Sequence, residues 1–307
     1  MTRRENRLKD WIESRYAIGS VDQCERHPVG FINHTYKVEA DGGQYALTEF
    51  LHKSLHKIAM RADVVLKIKN LPVAYPIAST EGKHVEEFEG HPVWLCPWLE
   101  GASPQDREDG SGNMSCAQRK ESVHYFKELH KQLEMISNEN EDLDPEKFVA
   151  SELPMGSEVR TAGIVQRLID ECRECYQGIV FPVAEMKLVH KDFERQNLLF
   201  GETEQLTGIL DFDSLRAGNM FYEWAHITFN HVCDDANPSP TELQYYIENS
   251  PFDEIDNPRA QLLALMATFC EKDIQGFVWI AQRRHIELGR ITDHYRRALT
   301  FAKNLLQ

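Results

Sequence analysis

Two short apolar runs in the second half of the chain are joined by a polar connection that opens with a glycine. The first run covers 198–200, the second covers 208–212, and Gly201 begins the segment between them. This pattern predicts a β-hairpin. Asn197 directly precedes the first predicted strand, and Asp211 lies at the far end of the second. The two positions are equidistant from the centre of the connection, so antiparallel pairing would bring them together at the open end.

The residues at this open end carry ligands that suit a magnesium–phosphate site. Mg²⁺ prefers hard oxygen ligands, of which a protein usually supplies one or two while phosphates and water supply the rest. Asn197 offers a carbonyl oxygen and Asp211 a carboxylate, and Asp192 lies close upstream, where it could meet a substrate hydroxyl. The spacing from Asp192 to Asn197, followed by Asp211-Phe212-Asp213, matches the kinase pattern H-R-D-x-x-x-x-N and D-F-G. We interpret it as phosphoryl transfer from a nucleotide; the alternative is an ordinary surface hairpin, since Asp and Asn are common in turns.

Charge and composition narrow the class of partner and the compartment. The formal net charge of −15 argues against nucleic acid, which is bound by basic patches. An acidic cleft would favour an amine-bearing small molecule, although solubility alone also accounts for the charge. No apolar run approaches the roughly 20 residues that span a bilayer, and the N-terminus lacks the apolar core of a signal peptide. The seven cysteines show no disulfide framework, so we predict a cytoplasmic protein without a membrane partner.

The elements along the chain predict an α+β protein with two lobes. Residues 1–98 show helix and strand patterns in the order 7–16 (helix), 30–38 and 45–50 (strands), 54–70 (helix) and 85–96 (hairpin). The segment 102–117 is rich in Ser, Gly, Asp and Pro, which is typical of a loop. Residues 99–307 are mostly helical, with helices predicted near 123–136, 157–178, 221–235, 241–249, 258–285 and 288–306. We therefore expect a β-rich, nucleotide-binding N-lobe over 1–98. The C-lobe over 99–307 would carry the catalytic loop, the metal site and the acceptor pocket.

Four patches resemble one known superfamily. They are 30–38, which follows the pattern G-x-x-N-x-x-(aromatic)-x-V, then 190–197, 208–213 and 222–234. The chain resembles the aminoglycoside phosphotransferases, choline kinases and type II homoserine kinases, which share a protein-kinase-like fold. The patch 222–234 is similar to the helix that follows the metal-binding aspartate in type II homoserine kinases.

The resemblance implies an ATP-dependent, Mg²⁺-dependent kinase that phosphorylates a hydroxyl of a small molecule. Asp192 would orient that hydroxyl and accept its proton, Asn197 and Asp211 would bind magnesium, and Asp213 would assist the metal or hold water. The nucleotide would be held by Gly30, Asn33, Thr35, Tyr36, Thr48, Lys53, Pro97, Trp98 and Leu99. The acceptor would be contacted by Glu223, Asn230 and Asp234.

The chain departs from the kinase pattern at the residues that hold the phosphates. Thr48 stands where protein kinases carry the strand-three lysine, and type II homoserine kinases look similar there. Lys53 or Lys57 could supply the charge instead, although both could be surface lysines. The helix predicted over 54–70 has Asp63 as its only acid, so the Lys–Glu ion pair of kinases has no obvious counterpart.

Three functions fit these observations to different degrees. A homoserine-like amino alcohol is the favoured acceptor because of Leu47-Thr48 and the patch 222–234, and an aminoglycoside or amino sugar is the alternative. A nucleotide-binding scaffold with little catalysis is suggested by the missing strand-three lysine. A protein kinase is disfavoured because no Ala-Pro-Glu follows Asp211.

Overall fold

The computed structural model describes residues 2–28, 33–104, 112–139, 163–179, 187–233, 238–251, 257–284 and 288–306. The chain forms two compact units. The first comprises Met1–Gly101 with Leu199–Asp213, and the second comprises Ala102–Leu198 with Ser214–Gln307. No helix in these ranges is both long enough and apolar enough to cross a membrane.

A five-stranded antiparallel sheet forms the centre of the first unit. Its strands are β1 (Val21–Arg26), β2 (His34–Ala40), β3 (Gly43–Glu49), β4 (Glu86–Phe88) and β5 (His91–Pro97), in the spatial order β1-β2-β3-β5-β4. Helix α1 (Arg3–Arg15) precedes the sheet, and α2 (Leu55–Lys67) connects β3 to the second hairpin. The predicted order of strand, strand, helix, strand, strand is therefore present, with β1 added in front of it.

Strand alternation decides which side of this sheet faces the core. Tyr36 and Val38 of β2 and Leu47 of β3 are buried in one cluster with Leu8 and Ile12 of α1. Successive strand residues point to opposite faces, so the residues between these apolar positions face the other side. Burying side chains of this size contributes roughly 1.5–3 kcal/mol each, which fixes α1 against this face of the sheet.

Helix α2 is built from a clear N-terminal cap and one apolar stripe. The Ser54 hydroxyl accepts a hydrogen bond from the Lys57 N–H, as an N-cap does. Ile58, Ala62 and Val65 follow at helical spacing and are buried, and α2 packs against β5. The helix therefore begins just after the turn at 51–53, which follows β3.

The predicted hairpin is confirmed and lies within the first unit. Strand β7 (Leu198–Phe200) pairs with β8 (Leu206–Ile209), and a connection this short permits only antiparallel pairing. The N–H of Ile209 donates to the Pro72 carbonyl oxygen at 2.7 Å, and Val73 forms a parallel bridge with Ile209. These contacts are why 199–213 groups with residues 1–101 rather than with the segment 99–307, to which the sequence assigned it. The functional division into two lobes stays a prediction.

Helices make up most of the second unit. They are α3 (Cys116–Glu139), α4 (Gly163–Tyr176), α5 (Met220–Thr228), α6 (Pro240–Glu248), α7 (Pro258–Arg284) and α8 (Leu288–Leu306), and a π-helical turn (Phe229–Cys233) extends α5. Strands β6 (Lys187–Val189) and β9 (Arg216–Gly218) form a small antiparallel pair. Phe126 of α3 packs against Phe193 and Trp224, with ring centroids 5.5 and 5.3 Å away. This aromatic group is buried and joins α3, α5 and the loop after β6.

Most helices were predicted within a few residues, but α3 begins at Cys116 rather than near 123, and three strands were missed. The sequence Val-Asp-Gln-Cys-Glu-Arg of β1 buries only Val21 and Cys24, so it lacks the apolar alternation that marks a strand. Strands β6 and β9 are three residues long, too short for a periodic signal. The first part of the helix predicted over 157–178 lies outside the described residues, and α4 is described from Gly163.

Candidate active site

Two predicted nucleotide-binding residues share the face of the sheet opposite the α1 core. Thr35 of β2 lies directly opposite Thr48 of β3, and such pairs project from the same face. Both are half-buried, whereas Tyr36, the residue after Thr35, is buried. Lys37 lies opposite Ala46, so alternation places it on the same face as Thr35. The sequence reasoning missed Lys37, although the two-residue strand period could have found it.

Tyr36 does not face this side, which corrects its predicted role in binding the nucleotide. It is 3% exposed, and its hydroxyl accepts a hydrogen bond from Arg4 Nη1 at 2.5 Å. Arg4 also donates to the buried Glu49 at 2.6 Å, and His34 Nδ1 lies 3.2 Å from the same carboxylate. Burial raises the pKa of Tyr36 above its ordinary value. Tyr36 therefore ties α1 to the sheet, because strand alternation turns it into the core.

The predicted hinge leaves the sheet at the end of β5. Pro97 lies opposite Tyr45 in the register of β3 and β5. The next N–H, that of Trp98, donates to the Gln44 carbonyl oxygen at 2.9 Å. The Lys37 ammonium lies 5.3 Å from the centroid of the Trp98 ring. Lys37 therefore lies at the hinge end of the open face, where the resemblance places the adenine.

Lys53 and Asp213 form a tight ion pair in the first unit. Lys53 Nζ lies 2.6 Å from Asp213 Oδ2 and donates to the Asp213 carbonyl oxygen, also at 2.6 Å. Asn33 Nδ2 donates to the same Oδ2 at 2.7 Å. The Asp213 side chain is 5% exposed and that of Lys53 is 24% exposed. Asn33 and Lys53 thus both contact the Asp213 carboxylate. The sequence predicted a separate role for each residue but not this contact.

Asp211 lies in contact with this cluster. Its backbone has a φ of 64°, the left-handed region that is uncommon for residues other than glycine. Burial opposes ionisation of Asp213, but a hydrogen bond with Asp211 and the charge of Lys53 hold the pKa of Asp213 below its ordinary value. Two carboxylates in contact favour a bound cation or a shared proton. Asn33 Oδ1 is buried and has no hydrogen-bond partner in the described ranges, so a further oxygen ligand is available beside them.

The predicted catalytic loop, residues 190–197, follows β6 in the second unit, and hydrogen bonds join its residues to one another. The N–H of Asp192 donates to His190 Nδ1 at 3.2 Å, and His190 is fully buried, as expected for a packing residue. Residues 195–197 form a turn of 3₁₀ helix. Asn197 Nδ2 donates to the Asp192 carbonyl oxygen at 2.9 Å. This bond uses the nitrogen of the amide, so the oxygen that would bind magnesium is not consumed by it.

Glu223 of α5 accepts a hydrogen bond from this loop, whereas the sequence predicted that it contacts the acceptor. It is 1% exposed, its Oε1 accepts the Lys191 N–H at 2.6 Å, and its Oε2 lies 3.0 Å from His130 Nε2. Burial opposes its ionisation, but His130, His190 and the Lys191 N–H keep the pKa of Glu223 below its ordinary value. Lys191 has a φ of 73°, a conformation that costs a non-glycine residue energy. The carboxylate therefore stabilises a strained peptide next to Asp192.

The π-helical turn after α5 anchors the rest of the loop. Asn230 Oδ1 accepts the Arg195 N–H at 3.0 Å, and His231 Nε2 lies 3.1 Å from the Phe193 carbonyl oxygen. His226 Nε2 lies 2.6 Å from Glu194 Oε1. Asn230 is thus a support of the loop rather than the predicted contact of the acceptor. Sequence reasoning missed the roles of the histidines, because no metal spacing or other signal marked them.

Two predicted site residues lie outside the described ranges, and the shared metal site stays a prediction. Gly30 and Asp234 lie outside the described residues. Asp192 and Asn197 belong to the second unit and Asp211 to the first, so their sharing of one metal ion stays a prediction. Clusters of three or more His, Cys, Asp or Glu side chains suited to a metal are absent from the described part of the chain.

A comparison with known families decides the classification. The profile of the phosphotransferase enzyme family matches residues 23–254, which is well over half of the chain. The chain belongs to this family. The resemblance drawn from the sequence is therefore confirmed at the level of the family.

Known proteins similar to this phosphotransferase-family chain agree on the fold. A homoserine kinase of Methylobacillus glycogenes is 22% identical over 227 residues, which is 73% of this chain and 66% of that kinase's length. A spectinomycin phosphotransferase solved with ADP and spectinomycin has a TM-score of 0.66 at 14% identity, covering 97% of both chains. An aminoglycoside phosphotransferase from Alicyclobacillus acidocaldarius has a TM-score of 0.64 at 13% identity, covering 97% of this chain and 93% of its own. The predicted α+β, protein-kinase-like fold is confirmed by these matches.

Proposed function

We propose that this chain is an ATP-dependent phosphotransferase that moves the γ-phosphate to a hydroxyl group of a small, amine-bearing metabolite. The observation that carries the proposal is the loop 190–197, in which Asp192 and Asn197 have the kinase spacing and are hydrogen-bonded to each other. Four of its residues are also engaged by α5 or the π-helical turn: Lys191, Phe193, Glu194 and Arg195. Such support is what a catalytic loop needs, since small misplacements cost large factors in rate.

The nucleotide would lie on the open face of the sheet. Thr35, Thr48 and Lys37 project from this face. The predicted hinge of Pro97, Trp98 and Leu99 begins at the end of β5, beside Lys37. Lys53 and Asn33 lie at the opposite end, beside Asp213. The spectinomycin phosphotransferase of similar fold was solved with ADP, which supports an adenine nucleotide here.

The chemistry of the donor set fits a magnesium ion. Asp211 and Asn197 would hold it, and both present hard oxygen atoms of the kind Mg²⁺ prefers. The contact between Asp211 and Asp213 favours a cation, because two adjacent carboxylates repel each other when both are ionised. When bound, the ion would neutralise charge on the transferred phosphoryl group.

Asp192 would do the chemical work on the acceptor side. Its carboxylate would accept a hydrogen bond from the acceptor hydroxyl, orient it, and take its proton as the new O–P bond forms. The Glu223 contact with Lys191 N–H and the Asn197 contact with the Asp192 carbonyl oxygen hold the backbone on either side. The Lys191 ammonium lies 5.0 Å from the ring centroid of Tyr222.

A homoserine-like amino alcohol is the favoured acceptor. The homoserine kinase relative and the Leu47-Thr48 pair support it. An aminoglycoside or amino sugar is the second candidate, supported by the spectinomycin phosphotransferase. Since Glu223 and Asn230 support the loop, we expect the acceptor contacts to come from other residues. All seven cysteines are free, in keeping with our further proposal that the enzyme acts in the cytoplasm.

The test is a substrate panel with nucleotide consumption as the readout. Purified protein with ATP and Mg²⁺ is given homoserine, choline, a kanamycin-like compound and hexosamines. We expect turnover with one acceptor class and a loss of at least about 100-fold in kcat for Asp192→Ala, with nucleotide affinity retained. Glu202→Gln, an exposed residue of the hairpin connection, is the matched control and should behave as wild type. Absence of Mg²⁺-dependent nucleotide binding would reject the proposal, and binding without turnover of any acceptor would favour a scaffold.

A further inference from the structure

The kinase ion pair between a strand-three lysine and a helix glutamate has no counterpart at the expected positions. Thr48 occupies the lysine position, and α2 contains Asp63 as its only acid. Lys53, five residues after Thr48, is held by Asp213 instead, through Oδ2 and the backbone carbonyl oxygen. The lysine therefore comes from the turn after β3, and the acid comes from the segment two residues beyond Asp211.

We propose that Lys53 binds the nucleotide phosphates and that Asp213 is the positioning residue that holds it there, replacing the kinase Lys–Glu pair. This inference rests on the proposed nucleotide-dependent function. An ammonium group has three N–H donors, and two of those on Lys53 are directed at Asp213. The third has no other partner in the described part of the chain, so it can reach a phosphate oxygen without breaking the pair. Its side chain is 24% exposed, which leaves it accessible to a ligand.

The positions of the other lysines favour Lys53 for this role. Lys37 lies beside Trp98, at the hinge end of the open face. Lys57 lies in the first turn of α2 and forms no ion pair with any described residue. Lys53 alone of these three contacts the segment that carries Asp211. Its charge therefore lies at the end of the site where phosphates and metal would meet.

The contacts of Asp213 favour positioning over direct binding of metal, the role predicted from the sequence. Its Oδ2 already accepts from both Lys53 and Asn33, and its side chain is 5% exposed. Asn33 directly precedes β2 and belongs to the predicted nucleotide loop. One carboxylate thus contacts both Asn33 and Lys53, so a change at Asp213 should disturb phosphate binding even without a metal ion.

The experiment measures nucleotide affinity calorimetrically with and without metal. ADP is titrated into wild type, Lys53→Met, Asp213→Asn and the double variant, in excess EDTA and again in Mg²⁺, and adenosine serves as a phosphate-free ligand. We expect Lys53→Met to weaken ADP binding about 10- to 100-fold while adenosine binding is unchanged. Asp213→Asn should weaken ADP binding in EDTA as well, and should cause no further loss in the Lys53→Met background. Lys57→Met is the matched control and should bind as wild type.

The possible outcomes separate this inference from the proposed function. Wild type that binds no ADP under either condition rejects the proposed function itself. Wild type that binds ADP, with Lys53→Met binding equally well, overturns the inference alone. An Asp213→Asn effect confined to Mg²⁺, or one that adds fully to that of Lys53→Met, would show that Asp213 is a metal ligand rather than a positioning residue. If Asp213→Asn does not fold by circular dichroism, the double variant, which removes both charges, and Lys53→Arg, which keeps the charge, give the same decision.

Discussion

Replacing His231 with glutamine should make the protein less sensitive to acid. His231 is fully buried, its Nε2 donates to the Phe193 carbonyl oxygen at 3.1 Å, and its Nδ1 lies 2.8 Å from the Tyr246 hydroxyl. Burial, together with the charges of Arg195 and Arg119, lowers the pKa of His231 from 6.5 to about 3. The folded protein therefore holds this imidazole neutral across the range in which an unfolded chain would protonate it.

The size of the effect follows from the two pKa values. Between pH 6.5 and about 3 the unfolded state binds one proton more than the folded state, so stability falls as the pH falls. At about pH 5 the solution is roughly 1.5 pH units below the pKa of the unfolded state. At 1.36 kcal/mol per unit, the free energy of unfolding therefore falls by about 2 kcal/mol between about pH 8 and about pH 5. This is a large share of the 5–15 kcal/mol that typically separates folded from unfolded states.

Urea unfolding followed by fluorescence at both pH values measures this loss. We expect the free energy of unfolding of wild type to fall by about 2 kcal/mol more than that of His231→Gln over this range. Glutamine can still donate to the Phe193 carbonyl oxygen, so the variant should fold. His124→Gln, which removes an exposed imidazole, is the control and should keep the pH dependence of wild type.

Equal pH dependence in wild type and His231→Gln would refute this reasoning. A direct measurement gives an independent decision if the variant is too unstable to unfold cooperatively. The imidazole C2–H resonance of His231 should show no titration near the ordinary histidine pKa of about 6.5. A resonance that titrates there would show that burial does not hold the side chain neutral.

Three further changes test the support of the catalytic loop and the core beside it. Glu223→Gln keeps an acceptor for the Lys191 N–H and Glu223→Ala does not, so the alanine variant should lose about 1–3 kcal/mol more stability in denaturant unfolding. Burial opposes ionisation of Glu194, but His226 holds the pKa of Glu194 at about 2; its stabilisation is present above the unfolded pKa of about 4.3 and is lost as the pH falls towards 2. Glu194→Gln should therefore flatten the acid unfolding curve in that window, and an unchanged curve would exclude the effect. Phe126→Ala should cost about 3–5 kcal/mol in the same unfolding assay because it opens a cavity in the buried aromatic group, and a loss under about 1 kcal/mol would contradict that packing.

The catalytic loop and the hairpin could be predicted because their signals are local. Asn197 lies five positions after Asp192, and the hydrogen bond between them closes within that interval. The hairpin depends on two apolar runs and a short connection, which the sequence shows directly. The sheet of the first unit was predicted for the same reason, except for β1, whose charged sequence carries no strand period.

The direction in which side chains project was harder to predict than the elements that carry them. Glu223 and Asn230 were expected to face an acceptor, but they turn towards the catalytic loop. Tyr36 was expected at the nucleotide and is instead buried against Arg4. In each case the polar side chain pairs with a nearby polar group of the protein, because a buried donor or acceptor without a partner costs about 1–3 kcal/mol.

By itself the sequence determined the fold class and the family, because these depend on short motifs and on the order of elements. It also predicted which residues would perform the chemistry. Only the tertiary structure showed that Lys53 pairs with Asp213. Lys53 and Asp213 are separated by 160 positions, and neither belongs to a motif that predicts the other. Their pairing follows from the packing of 199–213 against residues 1–101 through Pro72 and Ile209. A contact of this kind depends on how distant segments pack, and local spacing carries no information about it.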